Sequence, residues 1–233
     1  LDSGLLFHFN GNSWDYFYDP TISFGKMIFD KNNILWTLVN NNILGYFNTA
    51  GNNVIKLPLD PLLSGHNPGY LAVDNNNNKW VITSKYPGIN SLSKYVCRYD
   101  GSNWTVFDST ITGIVTSSVW PFVVPTKLLA ANNSTTLYVV DSTGYVVKYN
   151  GTSWSKLDST NSNIPSDITF IDATIDTSDI LWILASSPVA DNLLISYDGI
   201  QFYYYYPPIS LQNIGYWLRG ITADSTNGIW IVN

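Results

Sequence analysis

The sequence predicts an all-β fold, a five-bladed β-propeller of four-stranded antiparallel blades. Two interleaved series of short motifs indicate the blades, and the two ends of the chain each hold half of a further one. The composition agrees with this fold class, because the 233 residues include no glutamate, few lysines and many residues that favour turns and strands.

The first series is a six-residue motif: an aromatic residue, Asn or Asp, Gly, two spacers and a second aromatic residue. It occurs at residues 9–14, 99–104, 149–154 and 197–202. Asn-Gly and Asp-Gly between apolar runs form tight hairpins, because both residues of each pair tolerate positive φ. Each motif therefore predicts the turn between two paired strands.

The second series places one large aromatic residue in a short apolar run that follows a polar cluster. Its members are Trp36, Trp80, Tyr138, Trp182 and Trp230. Together the two series define a repeat of strand A, a polar turn, strand B with its aromatic residue, strand C, the Asn/Asp-Gly turn and strand D. Four short strands per repeat are typical of propeller blades. The longer interval between Trp80 and Tyr138 predicts an insertion around residues 109–126.

The two ends of the chain contain complementary halves of a repeat, with strands C and D in residues 4–19 and strands A and B in residues 218–233. Left apart, the halves would expose unpaired sheet edges, so we predict that they pair and close the ring. An all-β sandwich is the alternative, but it does not explain five aromatic-centred units or the complementary ends. The prediction is one domain over residues 1–233, with blades at about 26–57, 70–108, 127–158, 171–207, and 218–233 joined with 4–19.

Three stretches resemble a known repeat family. Residues 74–80 read Asp, four Asn, Lys and Trp, and residues 98–107 read Arg-Tyr-Asp-Gly-Ser-Asn-Trp-Thr-Val-Phe. They resemble the two-component-regulator-type propeller repeat, and residues 158–166 are similar to the linker that often joins such blades. The resemblance implies a propeller of the kind found in sensor ectodomains, secreted proteins and adhesins.

Charge and hydropathy exclude two classes of partner. The net charge of −6 argues against binding to nucleic acid, which selects basic surfaces. No apolar run approaches the length of a membrane-spanning helix, so we expect no membrane insertion. A surface rich in Asn, Ser, Thr and Tyr predicts an extracellular, cell-surface or virion location.

The sequence predicts no catalytic residue, metal or cofactor. Most aspartates fall in turn positions, where they hydrogen-bond nearby backbone groups. Asp172 is the exception, since it begins a strand A near the centre of the predicted ring, and it is the one carboxylate to test as a catalyst. His8 and His66 lack the spacing of metal ligands.

The predicted binding site lies at the mouth of the propeller, where loops lead from strand D of one blade to strand A of the next. Trp120 and Trp217 lie in these loops and have no position in the repeat. Aromatic rings beside polar groups suit sugars, although the same loops could instead fold down and plug the channel. The candidate residues are His66, Tyr70, Trp120, Phe122, Asp172, Tyr216, Trp217 and Arg219.

These observations predict a non-catalytic binding or adhesion module that recognises a glycan or a cell-surface receptor. It would act outside the cell or on a virion, as part of a larger host protein or a virion assembly. One alternative is a sensor or protein-interaction ectodomain that docks a protein partner on the same face. Another is a glycan-active hydrolase that uses Asp172.

Overall fold

A computed structural model describes residues 4–40, 43–49, 52–58, 60, 67–88, 91–114, 127–188, 190–206 and 219–232. Within these residues the strands form four four-stranded antiparallel sheets and two hairpins. The first hairpin comprises β1 (Gly4–Phe9) and β2 (Trp14–Asp19). The first sheet comprises β3 (Phe24–Phe29), β4 (Leu35–Val39), β5 (Ile43–Asn48) and β6 (Asn53–Pro58).

The second sheet comprises β7 (Asn67–Val73), β8 (Lys79–Gly88), β9 (Ser91–Tyr99) and β10 (Trp104–Phe107), and the short helix α1 (Ser109–Thr112) follows it. The third sheet comprises β11 (Lys127–Ala130), β12 (Leu137–Asp141), β13 (Tyr145–Tyr149) and β14 (Trp154–Leu157). The fourth comprises β15 (Thr169–Ile175), β16 (Leu181–Ser187), β17 (Ala190–Tyr197) and β18 (Phe202–Tyr205). The last hairpin comprises β19 (Gly220–Ala223) and β20 (Ile229–Val232).

The predicted four-stranded antiparallel blades are confirmed, and the described residues contain four such sheets. In each sheet the strands lie side by side in chain order, so strands A, B, C and D form an antiparallel meander. The third sheet begins at Lys127 and ends at Leu157, and the blade predicted there was residues 127–158. The terminal half-repeats form two-stranded sheets, β1 with β2 and β19 with β20, and ring closure stays a prediction, as does the single domain.

The described residues belong to two compact units. Unit 1 lies within Leu1–Val73 and Asn77–Asp108 and contains the first hairpin and the first two sheets. Unit 2 lies within Asp74–Asn76 and Ser109–Asn233 and contains the third and fourth sheets and the last hairpin. In the part of the chain that the structure describes, no helix has the length and apolar character needed to cross a membrane.

The Asn/Asp-Gly motif builds the same turn wherever it occurs. In the turn at residues 99–104, Oδ1 of Asp100 accepts the backbone N–H groups of Ser102 and Asn103 at 2.8 and 2.7 Å. The glycine after it has a φ of 105°, which a residue with a Cβ rarely adopts. The strand-C tyrosine also caps the turn, because the hydroxyl of Tyr99 donates to the carbonyl of Gly101 at 2.8 Å. Equivalent carboxylate or amide bonds form at Asn10, Asn150 and Asp198.

The aspartate that ends strand A joins two strands of its own repeat. Oδ1 of Asp176 accepts the N–H groups of Ser178 and Ile180, and Oδ2 accepts the indole N–H of Trp182 at 2.9 Å. Asp30 and Asp224 bind the tryptophans six residues later in the same way. The turn thus satisfies the indole N–H of the strand-B tryptophan, which is buried in Trp36, half-buried in Trp182 and exposed in Trp230.

The third repeat lacks both members of this aspartate–indole pair. Ala131 occupies the place of the aspartate, and the strand-B aromatic residue is Tyr138, which has no indole N–H. The aspartate acceptor and the tryptophan donor are therefore absent together from this repeat. The third repeat still closes its turn, through the Ala131 N–H and the Thr136 carbonyl, so the aspartate accompanies the tryptophan rather than the turn alone.

A second residue of the same turn links neighbouring sheets within a unit. In unit 1, Oδ1 of Asn77 accepts the N–H of Lys31 in the preceding repeat at 2.9 Å. In unit 2, Oδ1 of Asp179 accepts the N–H of Asn132 at 2.7 Å. Asn77 and Asp179 both have positive φ, 65° and 63°, so Asn or Asp suits the backbone as well as the hydrogen bond.

The first hairpin exposes one aromatic face. Phe7, Phe9, Trp14 and Tyr16 lie on that face, and Trp14 is 69% exposed. On the opposite face, Phe17 is packed, with its ring 5.5 Å from that of Phe47. The complete repeats cover the corresponding position, since the strand-C residue Tyr99 lies 6.2 Å from the ring of Trp36 in the preceding sheet.

Unit 1 also contains a buried ion pair. Nζ of Lys79 lies 2.9 Å from Oδ2 of Asp30, with side-chain exposures of only 5% and 1%. The ammonium donates to the carbonyl of Asn77 at 2.8 Å and lies 4.5 Å from the ring centroid of Trp36. Other repeats carry apolar residues at the position of Lys79, namely Leu35, Leu181 and Ile229. The lysine is therefore specific to the contact between the first and second sheets.

Acid is expected to weaken the folded state through Asp30. Burial alone would raise the pKa of this carboxyl, but hydrogen bonds from Lys79, the Ile34 N–H and the Trp36 indole lower it to about 2. The folded pKa therefore lies below the unfolded value of 3.8, so the stabilisation is present above pH 3.8 and is lost as the pH falls through about 2.

Urea unfolding measured from pH 7 down to pH 2 checks this expectation. The wild-type free energy of unfolding should fall over this range, and Asp30→Asn should reduce the dependence on pH. Asp158, whose pKa is also lowered to about 2 by Thr160 and Lys156, provides a more exposed comparison. An Asp30→Asn variant with the full wild-type pH dependence would contradict the assignment.

Candidate functional site

Three strands A carry a β-bulge close to where they begin. The register with strand B shifts between Phe24 and Met27 in β3, between Pro68 and Tyr70 in β7, and between Phe170 and Asp172 in β15. Bulges change the direction of neighbouring side chains and often adjoin functional sites. The residue four positions before the end-of-strand aspartate, or before Ala131 in the third repeat, is called here the opening residue of strand A. The opening residues are Lys26, Tyr70, Lys127, Asp172 and Gly220.

In unit 2, Asp172 connects three adjacent strands A. Its Oδ1 pairs with Nζ of Lys127 on β11, and its Oδ2 accepts the N–H of Ile221 on β19 at 3.1 Å. The side chains of Lys127 and Asp172 are 34% and 18% exposed, so solvent or a ligand can reach the pair. A Cβ at Gly220 would lie 3.1 Å from Cγ1 of Val232 and in ordinary van der Waals contact, at 3.8 Å, with Oδ2 of Asp172.

In unit 1, the opening residues are a cation and an aromatic ring. Nζ of Lys26 lies 6.0 Å from the ring centroid of Tyr70, at the outer limit of a cation–π contact. Lys26 is exposed and Tyr70 is half-buried. This pair provides an ammonium group and an aromatic face at the beginning of two neighbouring strands.

Three of the predicted site residues lie in the described part of the chain. Asp172 and Tyr70 are opening residues, and Tyr70 lies on strand β7 rather than in a loop. Arg219 directly precedes the opening residue Gly220, and its backbone N–H donates to the carbonyl of Val232 at 2.7 Å. The remaining predictions lie outside the described residues: His66, Trp120, Phe122, Tyr216 and Trp217.

Sequence reasoning missed Lys26 and Lys127. Counting back four residues from the end of each strand A would have found both, because the repeat fixes that distance. Their significance depends on which strands are neighbours, and motif spacing alone does not give that information.

The described residues offer little support for metal or thiol chemistry. Across the described ranges, no three His, Cys, Asp or Glu side chains are grouped as a metal site. His8 lies 3.7 Å from Asp15 on the exposed first hairpin. Cys97 is buried, and burial raises the pKa of its thiol to about 12, so the nucleophilic thiolate is disfavoured.

Comparison with solved structures gives the fold. The extracellular domain of a protein described as a one-component system from B. thetaiotaomicron matches 98% of this chain with 16% identity and a TM-score of 0.61. The chain is a β-propeller by fold. It spans only 30% of that protein and 31% of PorZ, a surface component of the type-IX secretion system of Porphyromonas gingivalis. No family profile matches the chain, and no curated protein matches it in sequence.

The comparison corrects the prediction that the chain is not an enzyme. The match to an oligogalacturonate lyase in complex with manganese covers 92% of this chain and 62% of the lyase chain, with 9% identity and a TM-score of 0.61. The match to a gluconolactonase from Xanthomonas campestris covers 94% of this chain and 71% of the gluconolactonase chain, with 14% identity and a TM-score of 0.51. The prediction was wrong because it was based on the turn positions of most aspartates, whereas solved structures of this fold include a lactonase and a lyase.

Proposed function

We propose that this chain is an extracellular ligand-binding domain that recognises carbohydrate at the opening residues Lys127 and Asp172 of unit 2. The observation that carries the proposal is the partly exposed Lys127–Asp172 pair, which a bulged strand holds in place. The propeller repeat does not require a charged residue there, since the equivalent residue in the last repeat is Gly220.

The chemistry of these residues suits sugar hydroxyl groups. A hydroxyl both donates and accepts, so it can bind the Asp172 carboxylate and the Lys127 ammonium at the same time. The extracellular domain and the surface component among the similar structures support a location outside the cell.

A carbohydrate-active enzyme is the second candidate. The gluconolactonase and the oligogalacturonate lyase of this fold favour it, together with the position of Asp172 among the opening residues. Product release from an oligosaccharide by wild type, but not by Asp172→Asn, would establish this activity. Unchanged activity in the Asp172→Asn variant would exclude Asp172 as the catalyst.

Glycan-array screening followed by titration calorimetry tests binding. Lys127→Gln removes the ammonium from the pair and should weaken binding of an array hit about tenfold, as expected for the loss of a charge-assisted hydrogen bond. Lys156→Gln is a matched control in the same unit, because Lys156 forms a similarly exposed pair with Asp158 at 2.9 Å. Equal affinities for wild type and Lys127→Gln would refute the site, and an array without hits would refute glycan recognition.

A further inference from the structure

The opening residues differ in charge from the rest of the chain. The whole chain has 11 basic and 17 acidic residues. In unit 1 the opening residues Lys26 and Tyr70 carry one positive charge and no carboxylate. In unit 2, Lys127 and Asp172 compensate each other, and Arg219 beside Gly220 adds a positive charge. Each unit therefore shows a local positive charge in an acidic protein.

Arg219 is a further cation of unit 2 that a ligand can reach, in addition to Lys127. Its side chain is exposed and makes no hydrogen bond or ion pair within the described residues. The backbone at Arg219 is held in place, because its N–H donates to the Val232 carbonyl and the N–H of Ile221 donates to the Asp172 carboxylate. Arg219 therefore directly precedes strand β19, and β19 is hydrogen-bonded to Asp172 of the Lys127–Asp172 pair.

We infer that the ligand is an acidic saccharide, one that carries a uronic acid carboxylate. The inference rests on the proposed carbohydrate-binding function and specifies its ligand class. A guanidinium binds a planar carboxylate through two parallel hydrogen bonds, which suits Arg219 to this role. Asp172 then accepts from a sugar hydroxyl, and Lys127 keeps that carboxylate from repelling the acidic ligand.

A matched pair of ligands tests the inference. Trigalacturonic acid and its fully methyl-esterified form have the same length and linkage and differ in charge. We expect calorimetry to show about tenfold tighter binding of the free acid at low salt, because a charge-assisted contact is lost on esterification. Added sodium chloride should reduce this preference, since it screens exposed charges.

Arg219→Gln should bring the affinity ratio of the two ligands close to one, whereas Lys156→Gln should keep the wild-type ratio. Equal binding of both ligands by wild type would overturn the acidic-ligand inference and leave carbohydrate binding intact. A wild-type ratio in the Arg219→Gln variant would also overturn it. If neither these ligands nor any glycan on an array binds, the inference and the proposed function fail together.

Discussion

Replacing Asp30 with alanine should lower the free energy of unfolding of unit 1 by about 3–5 kcal/mol, the cost expected when one partner of a buried ion pair is removed. The ammonium of Lys79 would remain buried, with the Asn77 carbonyl and the Trp36 ring as its remaining partners. The Ile34 N–H and the Trp36 indole N–H would lose their acceptors as well. Urea unfolding at pH 7, followed by tryptophan fluorescence, measures the loss.

The double variant Asp30→Ala/Lys79→Leu separates the buried charge from the lost hydrogen bonds. Leucine is a natural choice, because Leu181 occupies the equivalent position in the fourth repeat. The double variant should be more stable than Asp30→Ala alone, since no uncompensated ammonium remains. Lys79→Leu alone should reduce the free energy of unfolding less than Asp30→Ala does. Asp176, the equivalent of Asp30 in the fourth repeat, is buried although the next repeat carries Ile229 at the position of Lys79. If Asp30→Ala is as mild as Lys79→Leu, the ion pair does not stabilise the contact as described.

Asn77→Val should destabilise unit 1 by about 2–3 kcal/mol, because two penalties combine. Asn77 has a φ of 65°, and a β-branched residue in this left-handed region costs about 1–2 kcal/mol. The Lys31 N–H in the neighbouring repeat also loses its acceptor, a further cost of about 1 kcal/mol. The same unfolding measurement reports the sum.

Two glycine variants separate the backbone penalty from the loss of the hydrogen bond. Asn77→Gly tolerates the backbone conformation and removes the side-chain acceptor, so it should cost about 1 kcal/mol. Asn33→Gly is the matched control, because Asn33 has a φ of 60° and its side chain makes no hydrogen bond within the described ranges. It should change stability by less than about 0.5 kcal/mol. Equal losses for the two glycine variants would show that the Asn77 side chain does not link the sheets.

The repeats were predictable because their signals are local. A hairpin such as 149–154 places the aromatic residues, the acceptor and the glycine within six residues, and the structure forms that turn. The Lys79–Asp30 pair was not predictable, since its partners are far apart in sequence and Lys79 fills a position that is apolar in other repeats. Its existence depends on which sheets are neighbours.

The candidate site was predictable in part for the same reason. Asp172 was identified because it falls outside the turn positions to which the repeat assigns most aspartates. Its partner Lys127 was missed, because only the adjacency of β11 and β15 brings the two side chains together. Arg219 was identified as a residue that the repeat does not need, and the structure shows that the N–H of Ile221, two residues later, donates to Asp172.

The aspartate–indole pair bears on how such a chain can lengthen and diverge. Donor and acceptor lie six residues apart, as in Asp224 and Trp230, so a tandem duplication copies both at once. After duplication, loss of one partner leaves the other polar group unsatisfied, which favours loss of the second partner as well. The repeat with Ala131 and Tyr138 has the composition expected after both losses. Divergence in this chain should therefore proceed by paired substitution of the aspartate that ends strand A and the tryptophan of strand B.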